Sequence, residues 1–294
     1  MLATPGDTFR AALRAAKPLQ IVGTVNAYTA MMAQHIGHKA IYLSGGACAN
    51  ASYGLPDLGV TSLNDVLEDA RRITSAVDVP LMVDIDTGWG GAFNIARTIK
   101  EMMRAGVAAV HIEDQVAQKR CGHRPNKAIV SKQEMVDRIK SAVDARSDAS
   151  FFIMARTDSY AVEGLEASID RVHSCIEAGA DGVFAEAMST LEQYQQFKSR
   201  IDAPLLANMT EFGLSPLFNK DELAAVGVDM VLYPLTAVRA MNKAAENVYS
   251  ALLQDGDQKN LVASMQTREE LYRYLNYYDY EEKLDRLFSE QKKS

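Results

Sequence analysis

Eight short apolar runs, separated by amphipathic stretches, constrain this chain more than any other feature. One kind comprises "LQIVGT" (19–24), "PLMVDID" (80–86), "FFIMART" (151–157) and "PLLANMT" (204–210). It alternates with a second kind, "HKAIYLSGG" (38–46), "AAVHIED" (108–114), "ADGVFAEA" (180–187) and "VDMVLYP" (228–234), which usually follows a helix ending in glycine. Runs of this length and composition read as strands buried on both faces. Between them, "AFNIARTIKEMMRAG" and "GLEASIDRVHSCIEAG" are amphipathic, and their closing glycines suit the left-handed residue that ends a helix. Eight βα units predict an α/β fold, the (β/α)8 TIM barrel, and 294 residues is long for one domain unless the fold is a barrel. Residues 1–256 are assigned to it. The remainder, 257–294, has helical spacing and more tyrosines than a solvated tail would carry, so it reads as a helical extension docked on its own barrel or a neighbour's.

A formal net charge of -7 argues against a general nucleic-acid or membrane binder, which usually carries a basic field. The first residues lack the apolar core of a signal peptide, and no 18 uncharged apolar residues run together, so a cytoplasmic location is expected. Three cysteines without metal-site spacing (Cys48, Cys121, Cys175) argue against a disulfide framework or zinc site, and Cys175 reads as a small buried helix residue.

Chemistry in such a barrel sits at the C-terminal ends of the strands. Polar residues collect there: Ser44, Gly45 and Gly46 after the second strand, Asp84 and Asp86 after the third, Glu113 and Asp114 after the fourth. Arg156 and Asp158, Glu186, and Asn208 with Thr210 end the next three. Asp84 and Asp86 are two apart, so an extended strand would turn both carboxylates to one side. With Glu113 and Glu186 they form a hard oxygen donor set suited to Mg²⁺, with Mn²⁺ a possible substitute.

The fourth strand is followed by a connection of 17 residues, 114–130, where βα loops usually have ~2 to 6. Loops of that length are often lids. This one holds "KRCGHRPNK", in which Lys119, Arg120, His123, Arg124 and Lys127 surround Cys121, and no acid occurs between Asp114 and Glu134. Cations without local partners imply that an anion comes between them.

These motifs, with "LPDLG" (55–59), "VDIDTGWG" (83–90), "HIEDQ" (111–115), "MARTD" (154–158), "ANMTEFG" (207–213), "YPLTAVRAMN" (233–242) and "MQTREELY" (265–272), resemble the 2-methylisocitrate lyase family of the isocitrate lyase and phosphoenolpyruvate mutase superfamily. The likeness covers nearly the whole chain. "KRCGH" stands where isocitrate lyases have "KKCGH", and the phosphoenolpyruvate mutases lack the cysteine lid. What the resemblance implies is Mg²⁺-dependent cleavage of a tricarboxylate, 2-methylisocitrate, to pyruvate and succinate in propionate breakdown. It implies that Asp84 and Asp86 hold the metal with Asp57 in its outer shell. Ser44, Gly45, Gly46, Cys121, Gly122, Arg156, Glu186, Asn208, Thr210, Arg239 and Arg268 would bind substrate. Cys121 would donate the proton, with Lys119, Arg120 and His123 around it. Tyr42, a mouth carboxylate such as Glu113, or a metal-bound hydroxide are open candidates for the base. A homotetramer exchanging C-terminal helices is also implied.

Two further expectations concern chemistry. Flanking cations should lower the Cys121 pKa and favour thiolate, the wrong form for an acid, until the substrate's carboxylates neutralise them. Phe184 lies two residues before Glu186 and Pro234 ends the eighth strand, so together they are expected to line a pocket for the substrate methyl.

Overall fold

The structure is a computed structural model that describes residues 3–124 and 126–289. Eight parallel strands, β1 (Leu19–Gly23), β2 (Ile41–Leu43), β3 (Leu81–Asp84), β4 (Ala109–Glu113), β5 (Phe152–Thr157), β6 (Gly182–Ala185), β7 (Leu205–Asn208) and β8 (Met230–Tyr233), close in sequence order, with β8 pairing back onto β1. Each lies inside its predicted run.

Strands β2 to β7 are buried at every residue, which is why their sequences do not alternate. Along β5, Phe152 and Met154 join the barrel interior, whereas Ile153 and Ala155 pack in the layer shared with the helices. Met230 and Leu232 of β8 likewise enter the interior while Val231 faces outward. The helix Ala92–Arg104 supplies Ile95, Ile99 and Met102 to that outer layer, and Leu165–Glu177 supplies Ile169, Val172 and Cys175. Gly106 (φ 77) and Gly179 (φ 104) follow these helices in the left-handed conformation expected of them.

The N-terminal helix Pro5–Ala15 is started by Thr4, whose hydroxyl accepts from the Asp7 amide while the Asp7 carboxylate accepts from the Thr4 amide. It places Phe9, wholly buried, 5.2 Å from the Phe152 ring, and the same cluster holds Leu19 and Met230, which begin β1 and β8. Burying one such side chain contributes roughly 1.5–3 kcal/mol. Arg10 fixes the helix by donating to the Ser150 carbonyl at 2.7 Å and to Asp181 at 2.7 Å. With the bottom of the barrel plugged, access is left to the C-terminal ends of the strands.

The described chain divides into two compact units, through Val238 and from Arg239 onward. The second contains most of the helix Thr236–Asp255, a 3-10 turn at Lys259–Ser264, and the helices Arg268–Leu275 and Tyr277–Phe288. Thr267 caps the first of these last two, and the Tyr272 and Tyr277 rings stack at 4.1 Å. No described residue of this unit is buried. Among the described residues, no helix is long and apolar enough to cross a membrane.

Candidate active site

Strand register assembles the mouth of the barrel. Asp84 pairs with His111, Glu113 with Arg156, Arg156 with Phe184, and Asn208 with Leu232, so one charged or polar group follows another around the rim. Arg156 is the hub. Its guanidinium lies 3.3 Å from Glu113, 3.1 Å from Asp158 and 3.3 Å from Glu186, and sits 5.0 Å over the Phe184 ring. Asn208 donates to both Glu186 oxygens at 3.3 Å. Burial works against the Glu186 carboxylate, but Arg156 and His123 outweigh it and hold its pKa well below the ordinary range. Glu113 has the opposite fate: burial drives its pKa far up despite Arg156.

The metal-type carboxylates occupy the next sector. Asp84 ends β3, but Asp86 lies beyond it in a left-handed turn (φ 48), not on an extended strand, which corrects the expected alternation. The turn brings the Asp86 amide to Asp84 Oδ1 at 3.0 Å. Gly45 and Gly46 are not strand ends either. Ser44 caps the helix Gly45–Tyr53, and the Gly45 amide donates to Asp84 Oδ2 at 3.3 Å. Burial opposes ionisation of Asp84, yet His111, Lys119 and Arg156 bring its pKa down to about 2. Asp86 is pushed up to about 6 by burial and by Asp84. Among the described residues, no three His, Cys, Asp or Glu side chains converge as a self-sufficient metal cage. The donor set fits Mg²⁺ all the same, since that ion keeps waters and takes only one or two carboxylates, and the ammonium of Lys119, paired with Asp86 and 2.9 Å from Asp57, marks this corner as a cation seat.

That ammonium comes from the loop 114–130, which lies over the mouth. Its cations were expected to lack partners; the structure gives three of them carboxylates from distant segments. Lys119 meets Asp57 and Asp86, His123 Nε2 lies 3.0 Å from Glu186, and Lys127 meets Asp158 at 2.7 Å. The expected thiolate is therefore overturned. Burial raises the Cys121 pKa above its ordinary value and, with Asp57 and Glu186, outweighs the lowering by the His123 amide and Arg156, so the thiol is protonated at neutral pH before any substrate arrives. The residue still keeps an exposed surface. Gly122 is held so tightly that a Cβ there would stand 2.5 Å from Arg156 and 2.6 Å from Glu186. A side chain at this position would force one of these two groups to move.

At this mouth lies a cavity of about 60 Å³. Tyr42, Ser44, Asp57, Asp84, Lys119, Arg120, Cys121, Gly122, His123, Arg156, Glu186, Asn208 and Thr210 line it, as do Phe184 and Pro234. Glu113, Asp86, Gly45 and Gly46 are not among the lining residues. Arg239 and Arg268 belong to the second unit, where Arg268 opens its helix. Sequence reasoning missed His111, 2.8 Å from the Tyr42 hydroxyl and 3.7 Å from Asp84. Burial lowers its pKa to about 4, so the ring is neutral. Its position two residues before Glu113 on the same strand was the available signal. Leu232 and Leu235, also lining the cavity, carried no signal beyond their apolar character.

Residues 9–253 match the family model described as phosphoenolpyruvate phosphomutase. The chain belongs to this family. Within it, the resemblance read from the motifs is borne out by a 2-methylisocitrate lyase of Vibrio cholerae, 66% identical over 296 residues, spanning 99% of this chain and 96% of the relative. Among solved structures in the family's superfamily, 2,3-dimethylmalate lyase superposes with a TM-score of 0.89 at 33% identity, over 98% of this chain and 96% of the other. Phosphonopyruvate hydrolase in complex with oxalate and Mg²⁺ superposes with a TM-score of 0.84 at 27% identity, over 97% and 98%.

Proposed function

We propose that the protein is a 2-methylisocitrate lyase acting in the cytoplasm. The observation that carries the chemistry is that a protonated Cys121 thiol lines the same cavity as Asp84 and Arg156. Cleavage requires removal of the proton from the substrate hydroxyl and breakage of the bond between the hydroxyl-bearing carbon and its neighbour. One fragment leaves as pyruvate; the electron pair goes to the succinate carbon, where it takes a proton from Cys121. Arg156, Asn208 and Thr210, with the Ser44 hydroxyl, offer donors for the substrate's carboxylates. Gly45, Gly46, Arg239 and Arg268 are assigned to substrate binding too, on the strength of the motif resemblance. Mg²⁺, or Mn²⁺ in its place, would be held by Asp84 and Asp86 with Asp57 in the outer shell, and when bound it supplies Lewis acidity at the hydroxyl and carboxylate oxygens. Tyr42 is fully buried and its pKa is pushed well above the ordinary phenol value, by burial first and then by Asp84, so it meets the substrate as a phenol.

Phe184 and Pro234 supply the apolar wall that would receive the substrate methyl. A filled methyl site contributes roughly 1 to 3 kcal/mol, about 10- to 200-fold in specificity. Incubated with Mg²⁺ and each substrate, the protein should form pyruvate from 2-methylisocitrate with a kcat/KM higher by about that factor than for glyoxylate formation from isocitrate. Equal constants, or faster glyoxylate formation, would reject the assignment; no Mg²⁺-dependent turnover of either would leave an anion-binding barrel.

In this reading residues 114–130 are the lid of a catalytic domain extending through residue 256, and 257–294 form an extension exchanged between subunits of a homotetramer. Support comes from the second unit, where Leu253, Tyr280, Leu284 and Leu287 are exposed and no described residue is buried. Deleting 257–294 should disrupt both the tetramer, seen by light scattering, and activity. A tetrameric, fully active truncation would refute the exchange.

A further inference from the structure

We infer that Gln115 and Lys127 are positioning residues that set the place of Cys121 by holding the peptide backbone on both sides of it. Their buried side chains bind the carbonyls one residue before and one residue after the cysteine. Gln115 Nε2 donates to the Arg120 carbonyl at 2.9 Å, and Gln115 Oε1 accepts from the Arg120 amide at 2.9 Å, so one carboxamide reproduces the double bond of a strand pair. Lys127 Nζ donates to the Gly122 carbonyl at 2.6 Å.

Both clamps are anchored in the barrel. Gln115 is fully buried just beyond β4, its carbonyl accepts from Arg138 at 2.8 Å, and it bridges to Ile129 at the far end of the loop. Lys127 is tied to Asp158 at 2.7 Å, and the Asp158 amide donates to Asp114 at 2.8 Å. The described residues of the loop contain no helix or extended ladder of their own. A buried lysine and a buried glutamine are costly unless their polar atoms are used, and here each directs donors at the Cys121 segment. Neither is among the residues lining the cavity, so they act through the cysteine and not on the substrate. A displacement of about 1 Å in a reacting group costs on the order of 100-fold in rate, which gives such clamps a catalytic consequence. The inference rests on the reading of Cys121 as the acid, but its structural half can be tested alone.

Gln115→Met and Lys127→Met keep length and volume while removing the donors. The full-length proteins are treated with iodoacetamide without substrate, and modification is followed at Cys121 by mass spectrometry; Cys48 and Cys175 are buried and provide internal references. Loss of one or two loop hydrogen bonds should speed Cys121 alkylation about tenfold. With 2-methylisocitrate and Mg²⁺, kcat should fall about 100-fold while KM changes much less. Faster alkylation with parental kcat would support the clamps and reject Cys121 as the acid. Alkylation that is unchanged or slower in both variants overturns the inference. If both variants lose the parental circular dichroism spectrum, these side chains hold the fold and not the loop, which overturns it as well.

Discussion

Replacing Cys121 by serine should leave KM within a few-fold of the parent and reduce turnover by roughly 10²- to 10⁴-fold, the range supplied by a positioned general acid. Serine preserves the shape of the side chain and its place above the cavity, but its hydroxyl gives up a proton far less readily than a thiol. The environment of Cys121 is arranged for an acid. Burial, Asp57 and Glu186 raise its pKa and outweigh the opposing pull of the His123 amide and Arg156, while Lys119, His123 and Lys127 are engaged with carboxylates. Pre-steady-state measurement of pyruvate and succinate release would separate proton delivery from bond cleavage. Turnover within threefold of the parent would show that succinate receives its proton from another group.

The second large effect is expected at the carboxylate pair. Asp84→Asn and Asp86→Asn should each lower kcat/KM by about a thousandfold or more, the scale of ~4 kcal/mol of lost electrostatic stabilisation, while the circular dichroism spectrum stays parental. The argument is one of charge. Burial and mutual repulsion oppose two adjacent carboxylates, and the pair is sustained by Lys119, with Arg156 adding to it at Asp84. Such an arrangement is costly in an apolar interior unless a ligand uses it. Titration calorimetry with Mn²⁺ should show weakened binding in both variants. Near-parental rates together with parental Mn²⁺ affinity would remove these residues from the metal site.

The barrel was legible in the sequence because strands buried on both faces leave a mark that local reading detects: short apolar runs, regularly spaced, with a polar residue where most of them stop. Asp84, Arg156, Glu186 and Asn208 were found by that rule, which needs no knowledge of distant contacts. Asp86 was found for the wrong reason, since strand alternation does not operate across a left-handed residue. The loop 114–130 was misread in its electrostatics. Lys119 finds its acids at 57 and 86, and Lys127 finds its own at 158, separations that a scan for neighbouring charges does not cover. Asp57 was available only through motif resemblance, because nothing local in "LPDLG" announces a place in the cavity wall. The contact of His111 with Tyr42 depends on a register between strands that the sequence does not print.

The left-handed backbone at Asp86 also bears on how this site can change over generations. A residue with positive φ is tolerated well by glycine and acceptably by asparagine or aspartate, and poorly by the bulkier or β-branched side chains. Drift at position 86 is therefore biased by chain geometry toward glycine, asparagine and aspartate before any chemistry is considered, although Trp89, Ala187 and Phe212 are held at similar φ elsewhere in the chain. Glycine and asparagine satisfy the turn but bring no charge. The turn and the carboxylate thus select the same residue independently, and a descendant that abandoned cation chemistry would be expected to lose the aspartate to one of those two neighbours long before it lost the turn.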